Sequence, residues 1–266
     1  MSALPLTTAL AVFSAGLLLA EPVQSKSCPR DSVQVGRLCV DKYEASVWEI
    51  PPARKGLIEN LRQGRITSAA SLTRATQRGV TSDDYGVGCP GTGSGCKSFY
   101  AVSIPAVTPS AYITWFQALA ACRNAGKRLL TNAEWQAAAL GTPVAETDDG
   151  AADCNLASAT FTVPEDPTPT GSRSGCVSDV GAFDMAGNLW EWVADWTEVA
   201  AGCTNWDEAH GNDLSCVGGN GMRHLPGALL RGGSFDGRRA GVFAVNAVFD
   251  PSSAFFAFGF RCGREL

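Results

Sequence analysis

The sequence predicts an α+β domain with two main helices, short strands and long loops. Of its 266 residues, 45% are hydrophobic and 18% are charged, which supplies enough apolar side chains for a substantial core. Helical periodicity is clear only between residues 110 and 141, and from residue 142 onward Gly, Pro, Asp and Ser divide the chain into short strands and long loops. The net charge of −5 and the lack of a Lys or Arg run argue against a nucleic-acid-binding surface.

The N-terminus predicts export. Residues 9–20 are uninterrupted apolar or small residues, a stretch too short to span a bilayer. We interpret residues 1–27 as a signal peptide that is cleaved between Ala20 and Ser27, which leaves residues 28–266 as a single domain. No Lys or Arg precedes the apolar run, so a buried first helix is the alternative. No later segment reads as transmembrane, and we expect the protein at the cell surface, in the periplasm or in the medium.

Ten cysteines predict disulfides, because an even count is typical of exported chains. A zinc site is the poorer interpretation, since the chain has no C-x-x-C pair and only two histidines. Three pairs are close in sequence and bracket loops rich in Gly, Ser or Asp: Cys89 with Cys96, Cys154 with Cys176, and Cys203 with Cys216. Such bonds would hold loops that have little core of their own.

The regular elements can be placed in order along the domain. Residues 39–50 mix β-branched, aromatic and charged residues and predict a strand. Residues 53–98 are rich in Gly, Ser, Thr, Arg and Asp and predict an insertion or long loop, with a short helix near residues 55–63. A helix is expected over residues 111–125, with Ser110 as its cap and Gly126 at its end. Thr131 and Glu134 predict a capping box for a second helix over residues 132–140.

Five stretches of the chain resemble the formylglycine-generating enzyme (sulfatase-modifying factor) family. They are "CVDKYEAS", "ACRNAGKRLLTNAEWQAAALG", "DMAGNLWEWVADW", "LLRGGSF" and "FGFRC", and they follow the family order. The resemblance implies an irregular α+β domain of the C-type-lectin type. It also implies a disulfide between Cys122 and Cys262, the cysteine before "GKRL" and the cysteine after "GFR".

The resemblance further implies calcium. The family's "GNxWEW" loop binds calcium through backbone oxygens and the Glu carboxylate, which points to Ala186, Gly187, Leu189 and Glu191. A second family site begins at positions that resemble Asn155 and Leu156, but the following loop diverges and its acidic ligand cannot be placed. In the alternative interpretation, Glu191 only accepts hydrogen bonds from loop N–H groups.

The same resemblance argues against catalysis. The family's oxidase chemistry uses two reactive cysteines that bind copper between "GGS" and "GFRC". In this chain that interval contains neither cysteine nor histidine, so thiolate copper chemistry has no ligands there. We therefore expect no copper and no oxidase activity, and no Ser-His-Asp or paired-carboxylate arrangement suggests another reaction.

Residues 229–266 resemble the variable region of diversity-generating-retroelement target proteins. The pieces "RGGS", "AGVFAVN", "PS" and "GFRC" match its fixed framework, and the positions between them match codons that are rewritten at adenines. The resemblance implies that these positions contact ligand on one exposed face, with Phe235 at its edge and Val242, Phe243, Val245 and Phe260 buried as framework. The implied contact residues are Phe235, Asp236, Arg238, Arg239, Val248, Phe249, Ser253, Phe255 and Ala257.

The alternative is that the phenylalanines near the C-terminus are ordinary core residues, as we expect for Phe258 and Phe260. Five aromatics so close together exceed what one strand face can bury, because alternate side chains point outward. Exposed aromatics near arginines suit protein recognition. The sequence therefore favours an exported, non-catalytic protein that binds a protein or cell-surface ligand. A formylglycine-type copper oxidase with relocated ligands, or an undiversified structural or accessory domain, remains the alternative.

Overall fold

The computed structural model describes residues 27–82, 84–143, 149–157, 166–198, 203–205, 208, 211–216, 226–237 and 240–266. Apart from Ser27, the predicted signal peptide lies outside these ranges. Within them, the helices are all too short or too polar to cross a membrane.

The described residues form a mixed α/β domain with short elements, as the sequence predicts. Three α-helices occur, α1 (Lys55–Arg62), α2 (Trp115–Asn124) and α3 (Asn132–Ala139), with a 3-10 turn at Ala69–Leu72. The strands are two to eight residues long. They are β1 (Ser32–Val35), β2 (Leu38–Asp41), β3 (Ala45–Glu49), β4 (Thr76–Arg78), β5 (Phe99–Ser103), β6 (Arg128–Leu129), β7 (Trp190–Thr197), β8 (Thr204–Asn205), β9 (Leu214–Cys216), β10 (Gly227–Arg231), β11 (Val245–Asn246), β12 (Phe258–Phe260) and β13 (Cys262–Glu265).

The strands assemble into three sheets. One has the order β1-β2-β13-β6, the second β12-β7-β10-β11-β9-β8, and the third β4-β3-β5. The long strand β7 lies between β12, which runs parallel to it, and β10, which runs antiparallel. Because β12 and β10 bracket most of residues 229–266, this sheet fixes both ends of the C-terminal segment.

The single strand expected over residues 39–50 is instead two strands in different sheets. β2 pairs with β1 and β13, whereas β3 pairs with β4 and β5. Side-chain interactions accompany the change of sheet. The Asp41 carboxylate is buried against the Lys127 ammonium, and the buried Glu44 carboxylate accepts a hydrogen bond from Leu189 N–H at 3.0 Å. These partners lie far along the chain, so the local pattern did not reveal the break.

Residues 53–98 are integrated into the core and are not merely a long loop. The segment supplies α1, the 3-10 turn and β4, and its Ile58, Leu61, Ile66 and Leu72 pack in the largest hydrophobic cluster. The expected short helix near residues 55–63 is therefore present as α1. The segment is polar on average, and this average concealed the few apolar side chains that are buried in the core.

The first main helix begins later than expected and has a different cap. Tyr112 has a φ of +53°, outside the helical region, and α2 begins at Trp115 with Thr114 as its N-cap in a capping box with Gln117. The Ser110 hydroxyl instead accepts a hydrogen bond from Val47 N–H at 2.7 Å. The second main helix has the predicted Thr131–Glu134 capping box.

All ten cysteines are disulfide-bonded. The bond between Cys122 and Cys262 joins α2 to β13 and is the pairing that the family resemblance implies. Three bonds close local loops at the pairs with short spacing, Cys89–Cys96, Cys154–Cys176 and Cys203–Cys216. The remaining bond, Cys28–Cys39, has a sequence separation of 11 and also closes a local loop. Five disulfides are typical of proteins that fold in an oxidising compartment, outside the cytosol.

Candidate ligand-binding site

The C-terminal segment between β10 and β12 is irregular but has a fixed backbone. Ala228 N–H donates to Phe249 O at 2.9 Å, Trp115 N–H to Pro251 O at 3.0 Å, Tyr112 N–H to Phe255 O at 2.9 Å, and Trp190 N–H to Ala257 O at 2.8 Å. Every one of these bonds uses only backbone atoms of the segment. These bonds hold the chain through residues 249–257 whichever side chains it carries, and the buried Asp250 carboxylate adds a hydrogen bond from Ser252 N–H at 3.0 Å.

Glycine is required where the segment leaves β10. Gly233 has a φ of +81°, and a Cβ placed on it would lie 2.3 Å from the Cα of Ala240. The turn that follows is held by Asp213, whose carboxylate accepts a hydrogen bond from Phe243 N–H at 2.9 Å. Burial raises the pKa of Asp213 to about 6.

An open cavity of about 510 Å³, here called the aromatic cavity, lies against this segment. Its walls are mostly apolar and come from the segment itself, from β7, β9 and β11, and from the turn after β10. The lining residues are Trp190, Leu214, Ser234, Asp236, Gly237, Ala240, Asn246, Phe249, Phe255, Phe256, Ala257 and Phe258. A concave, apolar site with a few polar groups at its edge is the common form of a ligand-binding pocket.

Four of the nine predicted contact residues line the aromatic cavity: Asp236, Phe249, Phe255 and Ala257. Val248 is exposed and Ser253 is half-buried, but neither lines it. Arg238 and Arg239 lie outside the described residues, so the structure does not place them.

Two of the predicted contact residues are not on an exposed face. Phe235 is only 3% exposed and Ala257 only 4%, so the expectation that their side chains leave the core is wrong. Phe235 is drawn inward because its N–H donates to Asn188 O at 2.9 Å and its ring packs against Phe256. Ala257 is covered where its carbonyl joins β7. Among the expected framework residues, Val245 and Phe260 are buried, whereas Val242 and Phe243 are half-buried.

Two features of the cavity were missing from the predicted contact set. Phe256 is 44% exposed, as much as its neighbour Phe255, and lines the cavity. The aromatic density of residues 255–258 was the signal that could have included it. Trp190 of the "GNLWEW" motif also lines the cavity. Its position follows from the pairing of β7 with β12, which no local pattern encodes.

The aromatic rings of the segment form a graded cluster. Phe258 is buried and contacts Phe249 and Phe255 with ring centroids 4.8 and 5.0 Å apart, while Phe249 and Phe255 are 5.3 Å apart. Both contacts of Phe258 are edge-on, the geometry that aromatic pairs prefer. Phe258 is thus the buried member of the cluster, and Phe255 is its exposed member.

Glu191, the carboxylate of the implied calcium site, has protein donors on both oxygens. Arg261 Nε lies 2.9 Å from Oε1 and 2.7 Å from Oε2, and Trp135 Nε1 donates to Oε2 at 2.7 Å. Both Glu191 and Arg261 are buried. A calcium ion on this carboxylate would face the guanidinium, so the arrangement does not fit a calcium site that uses Glu191.

The position of the second implied calcium site is also occupied by protein contacts. Asn155 O accepts from Asn188 N–H at 2.7 Å, and the side-chain amide of Asn155 donates to Asn188 Oδ1 at 3.0 Å. Among the described residues, no three His, Cys, Asp or Glu side chains are grouped closely enough to hold a metal ion. Calcium binding stays a prediction, and its test is given in the Discussion.

The chain is similar to curated bacterial enzymes over part of its length. It is 29% identical to the formylglycine-generating enzyme of Thermomonospora curvata over 174 residues, which cover 59% of this chain and 55% of the enzyme. It is 29% identical to the formylglycine-generating enzyme of Streptomyces coelicolor over 182 residues, which cover 59% of this chain and 52% of the enzyme. The chain thus spans about half the length of these two relatives.

Among solved structures, the chain is similar to a major tropism determinant, the I1 variant. The sequence identity is 19%, the TM-score is 0.48, and the alignment covers 89% of this chain and 53% of that one. A family model described as "sulfatase-modifying factor enzyme 1-like domain" matches residues 60–266, which is more than half of the chain. The chain therefore belongs to the sulfatase-modifying factor enzyme 1-like domain family.

Proposed function

We propose that this chain is an exported, non-catalytic ligand-binding protein whose residues 229–266 form a diversified recognition surface. One observation carries the proposal: Phe249, Phe255 and Phe256 line an open cavity, while the backbone that presents them is held by main-chain hydrogen bonds. Their side chains can be exchanged without removing those bonds. A surface of this kind can change its ligand while the protein keeps its fold.

The cysteines support a non-catalytic role. A copper oxidase of the family type needs two free thiolates, and residues 235–258 contain neither cysteine nor histidine. Every cysteine of the chain is already bonded to another. A disulfide sulfur does not supply the thiolate that copper chemistry requires, so an oxidase would need ligands of a different kind.

Ligand binding can be tested with a random peptide library displayed on phage. We expect panning on the full mature chain to enrich peptides that bind at the aromatic cavity. The variant Phe255→Ser should weaken binding of the enriched peptides at least about ten-fold, the loss typical of a recognition hot spot. Trp196→Ser is the matched control, because Trp196 is similarly exposed, 42% against 44% for Phe255, and does not line the cavity. Equal weakening by both variants, or no enrichment, would contradict the proposal.

The oxidase alternative has a direct assay. A peptide carrying the cysteine motif of a sulfatase would be incubated with the protein, copper and oxygen, and formylglycine would be measured by mass spectrometry. We expect no product above the level of a heat-denatured control. Sustained turnover would overturn the non-catalytic assignment.

Diversification has a genomic test. We expect a reverse transcriptase gene near the coding sequence and a near-copy of the segment that encodes residues 229–266, differing from it at adenines. Independent isolates should then differ at the predicted contact positions other than the buried Phe235 and Ala257, and agree at "RGGS" and "GFRC". Identical segments across isolates, with no such repeat, would favour the undiversified structural or accessory domain.

A further inference from the structure

A second cavity of about 490 Å³ adjoins the aromatic cavity. The two share Phe256, whose ring lies 5.9 Å from that of the buried Phe235. The Phe256 side chain, which packs against Phe235, therefore forms the boundary between the two cavities. A ligand longer than one side chain can enter both cavities by crossing Phe256.

Most of the second cavity comes from parts of the chain outside residues 229–266. Its other walls are Gly79 and Val80 after β4, Thr108, Pro109, Ala111 and Tyr112 before α2, and Asp166 with Pro167. These walls are tied together, because Ala111 N–H donates to Gly79 O at 2.7 Å and the Asp84 carboxylate accepts from Gly79 and Val80 N–H. If residues 229–266 vary as proposed, these walls stay constant.

Tyr112 sits in this wall with an unusual backbone. Its φ of +53° is rare for a residue other than glycine, and such strain tends to occur at functional sites. The conformation is maintained across the boundary between the cavities, because Tyr112 N–H donates to Phe255 O at 2.9 Å. The two cavities are thus connected by this backbone hydrogen bond as well as by the shared Phe256 ring.

Three polar residues of the second cavity have side chains that form no hydrogen bond or ion pair within the part of the chain that the structure describes. They are Thr108, Tyr112 and Asp166. Asp166 is the single charged residue among the described residues of the lining. The other lining side chains are apolar and include Val80, two prolines and two phenylalanines.

This combination selects the chemistry of the occupant. A Lys or Arg side chain has an apolar stem that can lie along proline and phenylalanine and a charged end that needs a carboxylate or hydroxyl acceptor. Its charge is also attracted to the face of an aromatic ring such as Phe256. The net charge of −5 favours the approach of a basic ligand. A carboxylate-bearing side chain would instead be repelled by Asp166.

We infer that the second cavity is a fixed subsite for a basic side chain of the same peptide ligand whose apolar side chain occupies the aromatic cavity. The inference rests on the proposed function, since it assumes that the aromatic cavity binds an apolar group. The second cavity would require a basic side chain in every ligand, whereas the residues of the aromatic cavity can vary. All variants of the protein would then prefer ligands with a basic residue next to an apolar one.

Defined peptides test the inference. The probes are acetylated, amidated peptides with Phe and Lys separated by no residue, one Gly or two Gly, and their counterparts with Gln or Glu in place of Lys. Dissociation constants would be measured by NMR titration of the full mature chain at low ionic strength. At the best spacing we expect the Lys peptide to bind about two- to five-fold more tightly than the Gln peptide, the range for an exposed ion pair. The Glu peptide should bind most weakly.

Asp166→Asn should abolish the preference for Lys over Gln. Asp179→Asn is the matched control, because Asp179 is also exposed and lines neither cavity. The preference should also weaken as salt is added. Unchanged melting temperatures would show that both variants fold.

The outcomes separate the two proposals. If Phe255→Ser weakens every peptide but Asp166→Asn leaves the Lys preference intact, the second cavity is not a subsite and the proposed function stands. A Glu peptide that binds as well as the Lys peptide also overturns the inference. If no peptide binds to the wild-type chain, the inference is rejected, and panning with the random library still decides the proposed function.

Discussion

Single phenylalanines within residues 249–260 differ in how much of their surface the fold covers. Phe258 is 4% exposed and lies in the largest hydrophobic cluster, whereas Phe255 is 44% exposed. Phe249 is intermediate, half-buried against that cluster. Stability should therefore depend most on Phe258, less on Phe249 and least on Phe255.

Phe258→Ala is expected to lower the free energy of unfolding by about 3–5 kcal/mol, as a core truncation that leaves a cavity. Phe255→Ser should change it by less than about 1 kcal/mol, because most of the lost contact is on the surface. Urea unfolding of the two variants measures the difference. A loss of similar size in both would mean that Phe255 is part of the core.

Glu191 and Arg261 form a buried ion pair, so we expect stability to depend on this pair and not on a metal ion bound to Glu191. Glu191→Gln leaves the guanidinium buried without its counter-charge and should lower the free energy of unfolding by about 3–5 kcal/mol. Adding a calcium chelator to the wild-type chain should leave the melting temperature unchanged, because the carboxylate is held by Arg261 and Trp135. If the chelator lowers the melting temperature and added calcium restores it, calcium binds to the folded chain and the implied site must be reconsidered.

Among the elements, the turn between β10 and β11 depends on one carboxyl group. Asp213 accepts from Phe243 N–H, and its carboxylate is close enough to Gly241 that a Cβ there would lie 2.2 Å from it. Burial raises the pKa of Asp213 from 3.8 to about 6, so the folded chain binds this proton more tightly than the unfolded chain does. The contribution of Asp213 to stability is therefore full below about pH 4 and is lost as the pH rises through 6.

Asp213→Asn removes this titration while an amide oxygen can still accept from Phe243 N–H. We expect the variant to be more stable than the wild-type chain at about pH 7, and the gap to close as the pH falls from about 6 to about 4. Urea unfolding across that range measures the gap. A gap that does not vary with pH would show that Asp213 titrates as an ordinary surface carboxyl group.

At the scale of the whole molecule, one disulfide connects regions that are distant in sequence. Cys122–Cys262 closes a loop of 140 residues and joins α2 to the last strand, whereas Cys89–Cys96 closes a loop of 7. A crosslink that closes a longer loop removes more conformational entropy from the unfolded chain. The long-range bond should therefore contribute more to stability than the local one.

Replacing Cys122 and Cys262 together by Ala should lower the free energy of unfolding by about 2–5 kcal/mol. Replacing Cys89 and Cys96 together by Ala should lower the free energy of unfolding by about 2 kcal/mol less than the Cys122 and Cys262 replacement does. Chemical denaturation of the two double variants compares them directly. Equal losses would indicate that packing around the bonds, and not loop closure, sets their effect.

Local signals in the sequence determined several features of this protein. The capping box of α3 and the three short-range disulfides each depend on residues a few to about twenty positions apart. Residues this close in sequence can come into contact through local structure alone, so their spacing predicts the contact. The lack of cysteine and histidine in residues 235–258 was likewise visible without a structure.

Contacts between distant residues decided what the local pattern could not. α2 begins at Trp115 because Tyr112 is held out of the helical region by its bond to Phe255 O. Phe235 and Phe256 are adjacent in space, yet one is buried and the other is 44% exposed. Glu191 is paired with Arg261 because β12 lies beside β7. Burial and pairing of this kind are properties of the assembled fold, since each side chain's partners come from elements that the sequence alone does not place next to it.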